Sequence, residues 1–270
     1  MIDRQLVGAV IRKDWLEVAR NKQLLAPLVI LPLLFAAVLP IAVTVVGDSG
    51  ILAAGVNGMQ SFLDNLPAGI VPDGYSVEQT VVYAVLVYFM APFFLIIPLM
   101  VASITAASSF VGEKERHTIE GLLYTPLTNR ELVLGKVLGS VIPSVLLTWA
   151  AFVLYTVIVV TLGTPVVGEV FFPTWSWIVL VLLLVPAVAF LGTSLIVAIS
   201  GRSTTMQGAQ SVAVLVIFPI IALVIGQATG ILLFDVGVAL IASAVVIVID
   251  VVAFLAVVAR FDRERIVTKL

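Results

Sequence analysis

The stretch EKERHTIEGLLYTPLTNRELVLGK, residues 113–136, is the longest charged island inside an otherwise apolar chain. It carries Glu113, Lys114, Glu115, Arg116, Glu120, Arg130, Glu131 and Lys136, together with His117, the single histidine. Uncharged runs flank it on both sides, 79–112 and 137–168. About 20 apolar residues suffice to cross the hydrocarbon core of a bilayer, so runs of this length belong in lipid. The island between them is expected to sit in water.

Composition agrees with that reading. Of 270 residues, 61% are hydrophobic and 11% charged, whereas soluble domains carry about 25% charged residues. A chain this poor in charge cannot cover a globule with water-facing groups, so an all-α integral membrane protein is expected. The absence of cysteine excludes disulfides, thiolate metal sites and a thiol nucleophile. The lone histidine lies in the island, which argues against a histidine-based metal or catalytic site within the membrane. Residues 1–22 are polar and of mixed charge, and the apolar run after them is too long for the core of a signal peptide.

The remaining chain divides by charge. Residues 1–22 read as an interfacial helix, with Val7, Val10, Ile11, Trp15 and Val18 on one side, Asp14 intruding among them, and Trp15 at headgroup level. Residues 23–47 form the first predicted span, bent at Pro32 or Pro40. Residues 48–78, rich in Gly, Asn and Asp, read as an external loop, with a short helix over Met59–Asn65. The second span, 79–112, would be about 51 Å long as a straight helix, so it must tilt, bend near Pro92 or Pro98, or project from the membrane. Further spans are predicted at 137–162, 175–200, 208–228 and 237–259, with Trp175 and Trp177 as interface anchors and 260–270 as a charged tail.

The basic residues fix the topology. Five lie in the N-terminal segment, four in the island, one at Arg202 and four in the tail, which accounts for all 14. The alternate loops hold only Asp48, Asp64, Asp73, Glu78, Glu169 and Asp235. Lys and Arg concentrate on the cytoplasmic side of membrane proteins. Six spans with both termini cytoplasmic place every basic residue on that side, and an odd number breaks the alternation.

Within the island, Glu113–Tyr124 has good helix formers and acidic residues at its start. Pro126 ends that helix near Thr125, and Thr128-x-x-Glu131 fits a capping box opening the next one. The expected result is a helix, a tight break and a helix. The order of residues closely resembles the permease subunits of ABC-2 type transporters. In that family the segment joining spans two and three reads EKER-G-T-x-E-x-L-L-x-T-P-L, followed by a similar E-x-x-L-G-K ending. The match runs through Glu113, Lys114, Glu115, Arg116, Thr118, Glu120, Leu122, Leu123, Thr125, Pro126, Leu127, Glu131, Leu134, Gly135 and Lys136, with His117 where glycine is usual.

The resemblance, which looks most like multidrug or sodium exporter permeases, implies six spans, an N-terminal interfacial helix and a cytoplasmic coupling helix between spans two and three. It implies that Glu113, Glu115, Arg116, Thr118, Glu120, Leu123, Thr125, Pro126 and Arg130 dock a separate ATPase subunit in the plasma membrane. It further implies a second permease copy, as a homodimer or heterodimer. ATP and Mg would sit on the ATPase, with no cofactor on this chain and no nucleic-acid partner. The sequence contains no G-x-x-x-x-G-K-[ST] phosphate loop, which fits that division of labour.

Outside the island, Asp250 falls about 15 Å up its helix from Arg260 and is a candidate intramembrane polar site. A carrier driven by an ion gradient through Asp250 is the alternative reading, and a non-transporting anchor for an ATPase is the third. Gly135-x-x-x-Gly139, with Ser140, Ser144 and Thr148, offers small faces for close helix packing. Phe89, Phe93, Phe94, Met100, Phe218 and Ile221 are candidates for lining an apolar route. Ser194, in Gly192-Thr193-Ser194, has no histidine or lysine at its depth to activate it.

Overall fold

In a computed structural model the described residues are 4–48, 71–72, 74–115, 129–200, 203, 205–229 and 232–260. Among them the chain is all helical. Helix α1 is Arg4–Arg20. Five helices are long and apolar enough to cross a membrane. They are α2 (Lys22–Gly47), α3 (Val77–Gly112), α4 (Glu131–Val167), α5 (Trp175–Ser200) and a last helix. The predicted fifth span is instead two helices, α6 (Met206–Ala213) and α7 (Ile217–Ala228), joined by a tight turn at Val214–Val216. The last helix, α8, runs Val236–Arg260. Met59–Asn65 and the tail beyond Arg260 lie outside the described residues.

Helix starts follow local chemistry. Asn21 caps α2 by accepting the Gln23 N–H at 3.0 Å. Ser76 and Gln79 form a reciprocal capping box that opens α3 two residues earlier than predicted. The third-span helix starts at Asn129, one residue after Thr128 of the predicted capping box, which lies outside the described residues. A helix described from Asn129 agrees with one opened near Thr128 that runs on into the span at 137.

Lipid supplies no hydrophobic drive between spans, so close contact between small residues and interhelical hydrogen bonds hold such bundles together. Helix α3 is the most enclosed span. A Cβ on Gly192 of α5 would stand 3.0 Å from Leu99 Cδ1 of α3. On the other side, Ser144 of α4 donates to the Pro98 carbonyl at 2.7 Å. By contrast α2, α4 and α8 expose Ile30, Val45, Val153, Ile241, Val248 and Val252, a surface suited to lipid. Phe94 is in the core, while Phe218 and Ile221 face outward, so the six candidate route residues do not share one lining.

At the end of the bundle away from the island, α3 is bonded to three other helices. Pro92 has no N–H for the Tyr88 carbonyl, its usual partner four residues back. The wider π-type turn over Val85–Phe89 interrupts the regular ladder beside it. Side chains fill these places. Tyr155 Oη donates to Leu86 O at 2.6 Å, Trp177 Nε1 to Val87 O at 2.7 Å and Gln227 Nε2 to Tyr88 O at 3.0 Å. Rings of Phe94, Phe152, Tyr155, Phe172 and Trp177 pack around them. Trp177 is thus a fully buried core residue and not an interface anchor, because its indole N–H is bonded to the Val87 carbonyl inside the bundle. Trp175 remains exposed. The bend in α3 falls between the two prolines, at Leu95, whose N–H reaches back to Pro92 O at 3.1 Å.

Candidate functional site

Both ends of the charged island are anchored in one polar cluster, and this cluster is inside the protein. Glu113 is 1% exposed, Lys136 3% and Glu131 4%. The expectation that the whole island sits in water is therefore corrected at its ends. They are buried because they pair with each other and with α1.

Glu113 continues α3 by one turn, in the segment Glu113–Glu115. Its Oε2 lies 2.5 Å from Lys136 Nζ of the third-span helix, so the first and last residues of the island are directly joined. Its Oε1 accepts from Lys13 of α1. Lys136 Nζ also donates to the backbone carbonyl of Ser109, lies 3.3 Å from Ser109 Oγ and sits over the Phe110 ring at 5.2 Å. Ser109 Oγ donates to Asp14 Oδ2 at 2.5 Å. The chain of contacts thus joins α1, α3 and the third-span helix.

Helix α1 fits this place because of its register. Val7, Val10, Asp14 and Val18 are all buried, spaced at three and four residues along one face. Asp14, expected as an intruder on an apolar face, belongs to the buried stripe, where Ser109 bonds its Oδ2 and the Lys13 ammonium lies beside its Oδ1. Trp15 stays exposed. Glycine permits the approach. A Cβ on Gly135 would stand 3.1 Å from Val10 Cβ, and one on Gly139 would stand 3.6 Å from Ile11 Cα. The Gly135-x-x-x-Gly139 face therefore packs closely, as expected, and what it receives is the N-terminal helix.

Three carboxylates, Asp14, Glu17 and Glu113, gather within 4.8 Å of one another. The ammonium of Lys13 is already among them, 3.3 Å from Asp14 Oδ1 and 3.5 Å from Glu17 Oε2. A cation of the protein's own occupies this acidic group.

Glu115 reaches elsewhere. Its Oε2 accepts the N–H of Met206 at 3.1 Å, at the first residue of α6, where a carboxylate meets the positive end of the helix dipole. Nearby, a Cβ on Gly112 would meet Met206 Sδ at 2.9 Å. Sequence reasoning missed this link, and it missed Lys13, Asp14, Ser109, Lys136 and Met206 as partners of the island. The spacing of Glu113 and Glu115 carries no signal for contacts with residues far away in the chain.

Of the predicted docking residues, Glu113 and Glu115 are thus placed. Arg116, Thr118, Glu120, Leu123, Thr125 and Pro126 lie outside the described residues, as does the side chain of Arg130. Asp250, on α8, takes part in none of these contacts and is buried. At the opposite end of the bundle, Tyr75 Oη donates to Glu169 Oε1 at 2.5 Å. Burial and that carboxylate together push the Tyr75 phenol well above its usual value.

No curated protein matches the chain. The family model described as ABC-2 family transporter protein matches residues 8–239, from α1 through every described helix to the start of α8. An all-helical bundle with several membrane-length helices is what a multi-pass transport component requires, and the chain belongs to the ABC-2 family of transporter proteins.

Proposed function

We propose that this chain is the membrane-spanning permease subunit of an ATP-driven exporter, powered by a separate ATPase subunit on which ATP and Mg bind. It works as a pair of permease units in the plasma membrane, with six spans per unit and both termini cytoplasmic. The pair α6 and α7 together make the fifth span. The residues between Glu113 and Lys136 are the coupling segment, and Arg116 and Glu120 contact the ATPase.

The observation that carries this reading, alongside family membership, is the anchoring of the segment at its base. A push delivered to a loose loop is lost in the loop. Here the first turn is bonded to Lys136 and Lys13 and, through Glu115, to the start of α6. Displacing the segment must displace α1, α3, the third-span helix and α6 together. Rigid-body motion of packed helices is how local events become large movements. The concentration of all 14 basic residues in alternate loops and the two terminal segments of the sequence supports the cytoplasmic assignment.

The test is isolation of the complex from native membranes, followed by charge reversal. An ATPase is expected to co-purify with the wild-type chain, and its turnover in vesicles to rise with exported substrate. Arg116→Glu and Glu120→Lys are expected to abolish export while ATP hydrolysis continues. Full coupling in both variants, or purification without any ATPase, would overturn the docking role and favour a gradient-driven carrier.

A further inference from the structure

Asp250 lies outside the residues matched by the family and outside the polar cluster that anchors the island. On α8 the buried stripe is Ala239, Ser243 and Asp250, with Val246 packed on the core between them. These positions share one face at helical spacing. That face lies against α5, and the Phe190 and Phe254 rings, 5.9 Å apart, fix the register one turn beyond Asp250. Residues on either side, Ile249 and Val251, are exposed and suited to lipid. The carboxyl group therefore sits in a seam between two apolar helices inside the membrane.

Among the described residues nothing in that seam neutralises it. Residues 175–200 of α5 contain no Asp, Glu, His, Lys, Arg or Tyr. The nearest charged residue along α8 is Arg260, about 15 Å away. Asp250 Oδ1 is shut off from solvent and has no hydrogen-bond partner among the described residues. Three hydroxyls of the two helices are turned to their own backbones instead. Thr193 donates to Ala189 O at 2.9 Å, Ser200 to Val197 O at 2.7 Å and Ser243 to Ala239 O at 2.7 Å. Asp250 thus contributes nothing to the polar bonding that holds the seam closed. An ionised carboxylate without a counter-ion in such a place costs several kcal/mol, and intramembrane acids retained at that cost mark ion or proton pathways.

We propose that Asp250 is a proton-exchange site of the membrane domain, loaded with a proton when the α5–α8 seam is closed and able to release it to water. The setting gives the release a route. Asp250 is 7% exposed, in contrast to the sealed Tyr155 at 0%, and α8 is the least enclosed of the membrane-length helices. A modest rotation of α8 about its axis carries the carboxyl out of the seam. This inference does not rest on an ATPase drive, and its test needs only the full chain purified into lipid vesicles.

The measurement is pH-difference infrared spectroscopy, which separates the C=O stretch of a protonated carboxyl from the carboxylate bands. The chain has 16 Asp and Glu residues, so each spectrum is compared with that of Asp250→Asn. The expected result is a protonated-carboxyl band present in the wild type, absent in Asp250→Asn, shifted but retained in Asp250→Glu, and lost from the wild type as pH rises. Absence of the band at every pH would mean a permanently ionised or partnered carboxylate and would overturn the proposal. A band that stays constant to alkaline pH would mean a sealed, structural carboxyl and would overturn it equally. Should Asp250→Asn not yield folded protein, modification of wild-type Asp250 by a hydrophobic carbodiimide, located by mass spectrometry, decides the same question. That reagent adds across its C=N bond to a protonated carboxyl, the oxygen bonding to carbon and the proton passing to nitrogen, so Asp250 must be modified in the wild type and protected at high pH.

Discussion

Helix α3 is fastened at both ends, but by different chemistry. Near the island it is held by charge, with Glu113 between Lys136 and Lys13 and Ser109 between Lys136 and Asp14. At the far end it is held by neutral donors on its own carbonyls, from Tyr155, Trp177 and Gln227. The two kinds of joint fail differently. Removing one partner of a buried ion pair strands the other and costs about 3–5 kcal/mol. Removing one neutral interhelical hydrogen bond in a membrane costs about 0.6 kcal/mol on average, and about 1.7 at most. The charged joint concentrates its strength in one buried carboxylate and its partners. The neutral joint spreads it over three separate bonds.

Glu113→Ala gives the largest expected effect, because it leaves Lys136 buried without its carboxylate. Unfolding of the purified chain, followed by helix content in detergent, should show a loss of about 3–5 kcal/mol. Adding Lys136→Met to that variant should restore most of the loss, since it removes the stranded charge and keeps the apolar stem. A double variant no more stable than the single one would show that Glu113 acts through Lys13 instead, and the contrast between the two ends would then rest on α1 alone.

How much of this was legible in the sequence depended on the range of the signal. Local signals held. The span Trp175–Ser200 falls where its tryptophans and uncharged run place it. The close packing of Gly135 and Gly139 follows from their spacing. The Ser76–Gln79 capping box was present to be read, but the adjacent Glu78 drew the boundary inward. Long-range pairing was not legible. Asp14 spoils the apolar face of α1 when that face is taken to meet lipid, and makes sense only once Ser109 is known to lie opposite. Trp177 carries the composition of an interface anchor. Its burial goes with a bond to the Val87 carbonyl, two spans away, which no local pattern announces. The island looked water-exposed because charge usually is, and burial of its ends required partners from three helices that periodicity cannot supply.

Gly135→Leu should have an intermediate effect and acts on the same base by shape alone. The side chain would collide with Val10, and overpacking of this kind costs about 1–3 kcal/mol. Helix α1 can yield by lifting away, so the expected signature is faster proteolysis after Arg12 and Arg20 with the rest of the bundle intact. Gly135→Leu protected as well as the wild type would mean that α1 is held by its charges and not by contact with the glycine face. The charged joint would then be stronger than the geometry around it requires.

Tyr155→Phe is the smallest of the three and the one that tests the far end. It removes a single hydroxyl from Leu86 O while leaving the ring in place among Phe94, Phe172 and Trp177. Because Trp177 and Gln227 still hold the neighbouring carbonyls, the loss should be about 0.6–1.7 kcal/mol. It should be the same at pH 6 and pH 8, since no charge near the bond changes. The expected observation is a small, pH-independent drop in unfolding free energy with unchanged hydrogen exchange at the island end. A drop as large as that of Glu113→Ala would mean that the three carbonyl bonds form and break as one unit. The far end would then be a cooperative joint like the base, and the contrast between the two ends of α3 would disappear.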